Sequence, residues 1–267
     1  MLTYQAAPGI DVISSHTAIP GLGFVPINAF VLHGAEPILV DAGAMVDRDE
    51  FMTTLRTVID PGDLRWIWLT HPDFDHIGAL SPLLSENPRI RVITTFLTVG
   101  IMGLFDPLPM DRVYLLNPGQ HLEVGDRTLH AIKPPAFDNP ATTGFLDSKT
   151  GGLFTSDCFG ALLQGPPPES ATDLAMSDLR DGQVTWATID SPWLHTIESD
   201  VLARRLDDFR RIDAATVFSS HLPPAPGHML RHLITSLQAV PGAQPFSAPD
   251  QAALEQLFAQ NVSGNVG

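Results

Sequence analysis

The apolar positions in the first third of the chain alternate between strand-like and helix-like patterns. Aliphatic runs at 27–32 and 37–40, separated by a short polar turn, predict a β-hairpin. Apolar residues at helical spacing predict an amphipathic helix over 47–59. A strand, a helix and a second strand are predicted next, at 66–69, 76–84 and 91–94. This succession predicts a sheet with helices packed against it.

The middle third contains short strand patterns separated by Gly and Pro. These predicted strands cover 112–116, 121–124, 128–133, 143–146 and 153–156. Helical periodicity returns at 200–212 and 229–240, with a strand at 216–219 between them. Alternation of strand-rich and helical segments predicts an α/β fold, specifically a four-layer αββα sandwich of two mixed β-sheets flanked by helices.

The chain has no segment that reads as a domain linker. Its 267 residues could form one large α/β domain or two small ones. The Pro-rich stretch 165–168 reads as a stiff loop, and no Gly/Ser run or charge block divides the sequence. We therefore expect a single domain over 1–267, with a core at about 10–240 and a C-terminal helix and frayed tail over 241–267.

Charge and cysteine content narrow the range of partners and compartments. The formal net charge of −15 argues against nucleic acid or an anionic membrane as a partner, because both require clustered Lys and Arg. The single cysteine, Cys158, allows no internal disulfide and fits a reducing compartment. No secretory signal is apparent in residues 1–19, and no apolar run is long enough to span a membrane. We expect a cytoplasmic protein.

The most informative motif is His71-Pro72-Asp73-Phe74-Asp75-His76, directly after a predicted strand. Four imidazole or carboxylate groups within six positions are costly to bring together unless they share a cation. A loop between strand and helix would project His71 and Asp73 to one side and Asp75 and His76 to the other, which suits two adjacent metal ions. The alternative is a polar helix N-terminus that an aspartate caps.

Three later residues could complete such a site, because each stands in a turn or directly after a predicted strand. They are Asp138, Asp157 and His221. Asp157 could instead cap a loop, and His221 could be a surface histidine. His130 competes with Asp138, although it lies inside a predicted strand.

This combination resembles the metallo-β-lactamase-fold superfamily, whose members carry His-x-His-x-Asp-His, a Gly-His turn, a strand-terminal Asp and a late His. The resemblance extends from about Asn28 to His221. It implies that His71 and Asp73 bind a first metal, that Asp75, His76 and His221 bind a second, and that Asp157 bridges the two.

The chain departs from the general motif at two positions, and the first departure is similar to one branch of the superfamily. Asp73 replaces the second histidine, and a carboxylate there is similar to the flavodiiron and oxygen-binding diiron branch, which has His-x-Glu-x-Asp-His and later Asp-x-Phe-Gly. The chain has Asp157-Cys158-Phe159-Gly160 at the corresponding place. The turn 137–140 aligns Asp138 with the third histidine, and an aspartate there matches neither branch.

The charge of the candidate ligands favours redox chemistry over hydrolysis. Four carboxylates (Asp73, Asp75, Asp138 and Asp157) would cancel the charge of two divalent ions, which makes a weaker Lewis acid and favours trivalent states. Oxygen ligands mixed with imidazole suit iron, with manganese or zinc as alternatives. The resemblance implies that such a centre binds or activates dioxygen or a related small oxidant. Because the chain ends without a flavodoxin-like extension, we expect electrons from a separate donor protein.

Two other interpretations remain open at this stage. A hydrolase of the same fold would use a metal-bridging hydroxide to attack an ester, lactone, thioester or phosphoester, with Asp75 orienting the nucleophile. A domain that has lost one metal could instead serve as a binding module.

Overall fold

Two mixed β-sheets lie face to face in the computed structural model, which describes residues 1–256. The first sheet has seven strands in sequence order, β1 (Leu2–Ala7), β2 (Ile10–Ile19), β3 (Gly23–Leu32), β4 (Ile38–Val40), β5 (Trp66–Trp68), β6 (Arg91–Thr94) and β7 (Val113–Leu115). Strands β1 to β4 pair antiparallel, which includes the predicted hairpin, and β4 to β7 pair parallel.

The second sheet has six strands in the order β13-β12-β11-β10-β9-β8. These are β8 (His121–Val124), β9 (Arg127–Ile132), β10 (Gly144–Asp147), β11 (Gly152–Phe154), β12 (Thr216–Ser219) and β13 (Leu222–Pro226). Strands β11 and β12 pair parallel, and the other neighbours pair antiparallel.

Helices cover the outer face of each sheet. Against the first sheet pack α1 (Arg48–Val58), α2 (Leu80–Glu86) and α3 (Phe96–Met102), and against the second pack α4 (Met176–Asp190), α5 (Ser199–Arg210) and α6 (Leu230–Gln238). A separate apolar cluster fills the space between the sheets. Three buried apolar layers between four layers of structure confirm the predicted αββα sandwich.

Aromatic rings form the centre of the layer between the sheets. The ring of Phe154 stacks on Phe145 at 4.4 Å and on Phe218 at 4.6 Å, and Trp68 from the other sheet lies 4.3 Å from Phe145. All four side chains are buried. Burial of these four large aromatic side chains supplies much of the free energy that holds the two sheets together.

Five elements were not predicted from the sequence: β1, β2, α3, α4 and β13. Strand β13 contains Pro223, Pro224 and Pro226, and proline cannot donate a hydrogen bond to a neighbouring strand. The structure accommodates these prolines because β13 is the edge strand of its sheet.

The helix expected from residue 76 begins instead at Leu80. The preceding residues bond to the loop after β4: the amide of Ala42 donates to His76 O at 2.7 Å, and that of Ala79 donates to Ala42 O at 2.9 Å. A Cβ on Gly78 would lie 2.4 Å from Ala44 O, so only glycine allows these two loops to approach so closely.

No helix within residues 1–256 is both long and apolar enough to cross a membrane. Residues 251–256 are helical, and the part of the predicted C-terminal tail beyond residue 256 lies outside the described residues.

Candidate metal centre

Three strands bring predicted ligands together, because their carboxyl ends lie on one side of the molecule. His71 follows β5, Asp157 follows β11, and His221 follows β12. The imidazoles of His71 and His221 lie 3.2 and 3.1 Å from the Asp157 carboxylate, so the loops of the two sheets meet here. All seven predicted residues come together here, six of them in two adjoining groups with Asp157 between the groups: His71, Asp73, Asp75, His76, Asp138, Asp157 and His221.

Asp157 lies at the junction of the two groups and is 2% exposed. Its Oδ2 is 3.2 Å from His71 Nε2, and its Oδ1 is 3.1 Å from Nε2 of both His76 and His221. Burial raises the pKa of this carboxyl, but the three imidazoles outweigh burial and hold the pKa well below its usual range. Asp157 is therefore an anion that faces both groups at once.

The first group consists of His71, Asp73 and Asp138. Nε2 of His71 lies 3.7 Å from Asp73 Oδ2 and 3.8 Å from Asp138 Oδ1. Burial, with Asp157 and other nearby carboxylates, raises the pKa of Asp138 to about 9. The competing residue His130 lies on β9 opposite Leu146 with an exposed side chain, and among the described residues it belongs to no group that could hold a metal ion.

The second group consists of Asp75, His76 and His221. Oδ2 of Asp75 lies 3.5 Å from His76 Nε2 and 3.4 Å from His221 Nε2. Burial lowers the pKa of both imidazoles, but the surrounding carboxylates dominate and raise the pKa of His76 well above its usual value and that of His221 to about 9. Two histidines and one carboxylate thus face a common space.

Each of the three imidazoles is oriented by a second protein group at Nδ1. His76 Nδ1 is 2.8 Å from Asp41 Oδ2, His71 Nδ1 is 3.1 Å from Ser156 Oγ, and His221 Nδ1 donates to the carbonyl of Pro26 at 2.7 Å. These contacts turn every Nε2 towards the centre, as outer partners of metal-binding histidines do.

Asp41 is a site residue that the sequence reasoning missed. Its φ of +58° is unusual for a residue other than glycine, and Ser156 has a φ of +53°. Asp41 follows β4 directly and Ser156 lies two residues after β11, and strained backbone of this kind is common at functional sites. A signal for Asp41 existed: it follows β4, the parallel neighbour of β5, just as the histidine motif follows β5.

Asp190 is the second residue missed. It is the last residue of α4, and its carboxylate lies within 4.8 Å of both Asp138 and Asp157. Burial and the charge of Asp157 raise its pKa to about 7. No pattern in the sequence indicated this residue, because α4 itself was not predicted.

The unpaired polar atoms of the centre fit bound cations. Nε2 of His71, Nε2 of His76 and Oδ1 of Asp157 are buried without a hydrogen-bond partner, and such atoms are costly unless something satisfies them. Atoms bound about 2.1 Å from one ion lie about 3.0–3.4 Å apart at octahedral or tetrahedral angles. The separations of 3.1–3.8 Å among these side chains are close to that range.

Comparison with known proteins identifies the family. The model of the family described as "ODP family beta lactamase" matches residues 25–221, which include all seven predicted ligands. The chain belongs to this family.

Among curated relatives, the diflavin flavoprotein A 1 of Synechocystis sp. is 28% identical over 134 residues, which are 50% of this chain and 23% of the relative. An anaerobic nitric oxide reductase flavorubredoxin of Salmonella typhi is 25% identical over 134 residues, 28% of its length. The chain spans about a quarter of these relatives.

Solved structures of other proteins show the same fold. The rubredoxin oxygen:oxidoreductase of Desulfovibrio gigas superimposes with a TM-score of 0.77 at 14% identity, over 92% of this chain and 63% of that one. The metal-soaked Flv1 flavodiiron core of Synechocystis sp. superimposes with a TM-score of 0.72 at 21% identity, over 91% and 61%. The resemblance to the diiron branch is thus confirmed at the level of family and fold.

Replacing Asp41 with asparagine should weaken metal binding at the second group. Asparagine tolerates the positive φ but removes the charge beside His76 Nδ1, and loss of such a partner typically lowers affinity by about 10–100-fold. Competition with a chromophoric chelator measures the change. Asp11→Asn is the matched control, because Asp11 lies 2.7 Å from His33 in a part-exposed pair. Equal affinities in the two variants would remove Asp41 from the site.

Proposed function

We propose that the chain is a metal-binding protein whose dinuclear, carboxylate-rich centre holds iron and binds or activates dioxygen or a related small oxidant. The observation that carries this proposal is the buried Asp157 carboxylate, which faces three imidazole Nε2 atoms at 3.1–3.2 Å. Two of those nitrogens lack any hydrogen-bond partner. Membership of the family supports the same conclusion.

The two groups of side chains would each hold one ion. His71, Asp73 and Asp138 would bind the first, Asp75, His76 and His221 the second, and Asp157 both. Four carboxylates balance the four positive charges of two divalent ions, which lowers Lewis acidity and favours iron or manganese over a zinc hydrolase centre. Bound iron would supply one-electron chemistry towards the oxidant.

The protein's own side chains fix the geometry and access of this centre. The three histidines and Asp157 are buried, so water reaches the centre only on the side where Asp73 and Asp75 lie. Asp73 and Asp75 face that side, with 40% and 34% of their side chains exposed. We infer that a small oxidant enters between these two carboxylates, while Asp41, Ser156 and the Pro26 carbonyl keep the imidazoles in position.

The relatives suggest how such a centre would be used. Their names describe an oxygen oxidoreductase and a nitric oxide reductase, and the chain covers only part of each. We propose that residues 1–267 form one domain, that it works in the cytoplasm, and that a separate electron-donor protein reduces it. The acidic surface, with a formal net charge of −15, favours a donor that presents a basic face.

Metal analysis of protein expressed anaerobically in iron-supplemented medium tests the proposal. We expect two iron ions per chain and a change in the optical spectrum when oxygen is admitted. Two zinc ions per chain, no response to oxygen and turnover of a chromogenic ester would support a metallohydrolase instead. Absence of transition metal under these conditions would reject both.

Asp138→His tests the role of the carboxylate count. The substitution replaces the fourth carboxylate by a neutral imidazole, so it adds one unit of positive charge and a ligand that suits zinc. We expect the zinc-to-iron ratio retained in a mixed-metal competition to rise above that of the wild type. Asp208→His, on an exposed position of α5, is the matched control. An unchanged ratio in Asp138→His would show that Asp138 is not a ligand.

A further inference from the structure

A cavity of about 550 Å³ opens beside the candidate metal centre. The segment Pro72-Asp73-Phe74-Asp75 forms one wall, so two candidate ligands face the cavity and Phe74 stands between them. The motif that carries the ligands therefore also shapes the space through which anything must approach them.

The opposite walls of this cavity are apolar. They are formed by Met45 and Val46 from the loop after β4, and by Ile101 and Phe105 from the end of α3 and the turn after it. Val46 is 89% exposed, Phe74 69% and Phe105 48%. The rings of Phe74 and Phe105 lie edge to face at 6.3 Å. Large apolar side chains clustered at a surface mark a binding site more often than isolated ones do.

Size and charge restrict what the cavity can hold. A water molecule occupies about 30 Å³ of liquid, whereas pockets for organic ligands measure about 300–1,000 Å³. The volume therefore greatly exceeds the need of a diatomic gas. Among the described residues that line it, the only charged ones are Asp73 and Asp75, and no Lys, Arg or His is present. The lining therefore offers no cationic side chain that could pair with an anionic ligand.

We propose that this cavity binds an uncharged, apolar organic molecule directly beside the metal centre. The mouth of the cavity is its apolar part, formed by Met45, Val46, Phe74, Ile101 and Phe105. The proposal rests on the proposed function in one respect: the molecule would lie beside the ions that the centre holds. Binding itself requires only the mouth. A small molecule is favoured over a protein surface because the cavity, at about 550 Å³, has the volume of an organic-ligand pocket and candidate ligands form one of its walls.

Fluorescence titration with Nile red, an uncharged apolar dye, tests the binding site on the metal-loaded protein. We expect Val46→Asp and Phe105→Ala each to weaken binding by about ten-fold or more, because one adds a carboxylate to the mouth and the other removes an aromatic wall. Naphthalene should displace the dye, and naphthalene-1-sulfonate should do so at least about ten-fold less well. Leu2→Asp, on the exposed edge strand β1, is the matched control and should bind the dye like the wild type.

Further outcomes separate this inference from the proposed function. Wild-type dye affinity in both Val46→Asp and Phe105→Ala would overturn the inference. It would also be overturned if light scattering showed a wild-type dimer that Val46→Asp abolishes without changing dye affinity. Metal content is measured in parallel and should not change in either variant. A protein that binds metal but shows no dye at the mouth refutes the inference alone, whereas dye at the mouth of a protein without metal refutes the proposed function alone.

Discussion

Asp157→Asn should remove both metal ions from the centre. The variant keeps the size of the side chain but loses the one anion that lies within 3.2 Å of all three imidazoles. Loss of an outer partner costs about 10–100-fold in affinity, and a group that faces both ions should cost more than that. We expect metal content by mass spectrometry to fall from two ions per chain to near zero.

A surface substitution separates this effect from a general effect of lost charge. Asp208→Asn removes an equivalent carboxylate from an exposed ion pair on α5 and should leave metal content unchanged. Circular dichroism establishes whether Asp157→Asn retains the fold. Two ions per chain in a folded Asp157→Asn variant would contradict the arrangement in which both groups depend on this residue.

The contrast between the candidate site residues that the sequence indicated and those that it did not has a physical basis. Parallel strands place their carboxyl ends on one side of the molecule, so polar residues directly after apolar runs indicate a shared site. His71, Asp157 and His221 follow β5, β11 and β12 in this way. Asp41 follows β4 and obeyed the same rule, but its Asp-Ala-Gly sequence is also typical of a simple turn.

Asp190 could not be found from local patterns. It reaches the centre from the C-terminal end of α4, a helix with only a weak apolar stripe, and it approaches Asp138 and Asp157 only through the packing of that helix on the second sheet. The same reasoning explains the missed strand β13, whose prolines contradict strand propensity. Only its place at the sheet edge, a property of the whole fold, makes that sequence acceptable.

A buried ion pair between Arg127 and Asp147 lies at the opposite ends of the strands from the metal centre. A change in this pair should therefore alter the stability of the fold without altering metal binding. Asp147 ends β10, which runs antiparallel to β11, so it lies beside the start of β11, whereas Asp157 follows the end of that strand. Arg127 Nη1 donates to Asp147 Oδ2 at 3.0 Å, and its Nη2 donates to the carbonyl of His33. The pair therefore joins the second sheet to the loop after β3.

Arg127→Met should destabilise the protein without changing its metal content. The two side chains are almost completely buried, at 1% and 0% exposure, and removal of one partner leaves the Asp147 charge uncompensated. Breaking such a pair costs about 3–5 kcal/mol, which corresponds to a fall in Tm of about 6–20 °C for a domain of this size. Denaturant unfolding of the metal-loaded protein measures the loss.

Adding Asp147→Asn to Arg127→Met should restore part of the lost stability, since the double variant no longer buries an unpaired charge. A loss below about 1 kcal/mol, or a loss of metal at unchanged stability, would show that the two ends of the strands are not independent in this way.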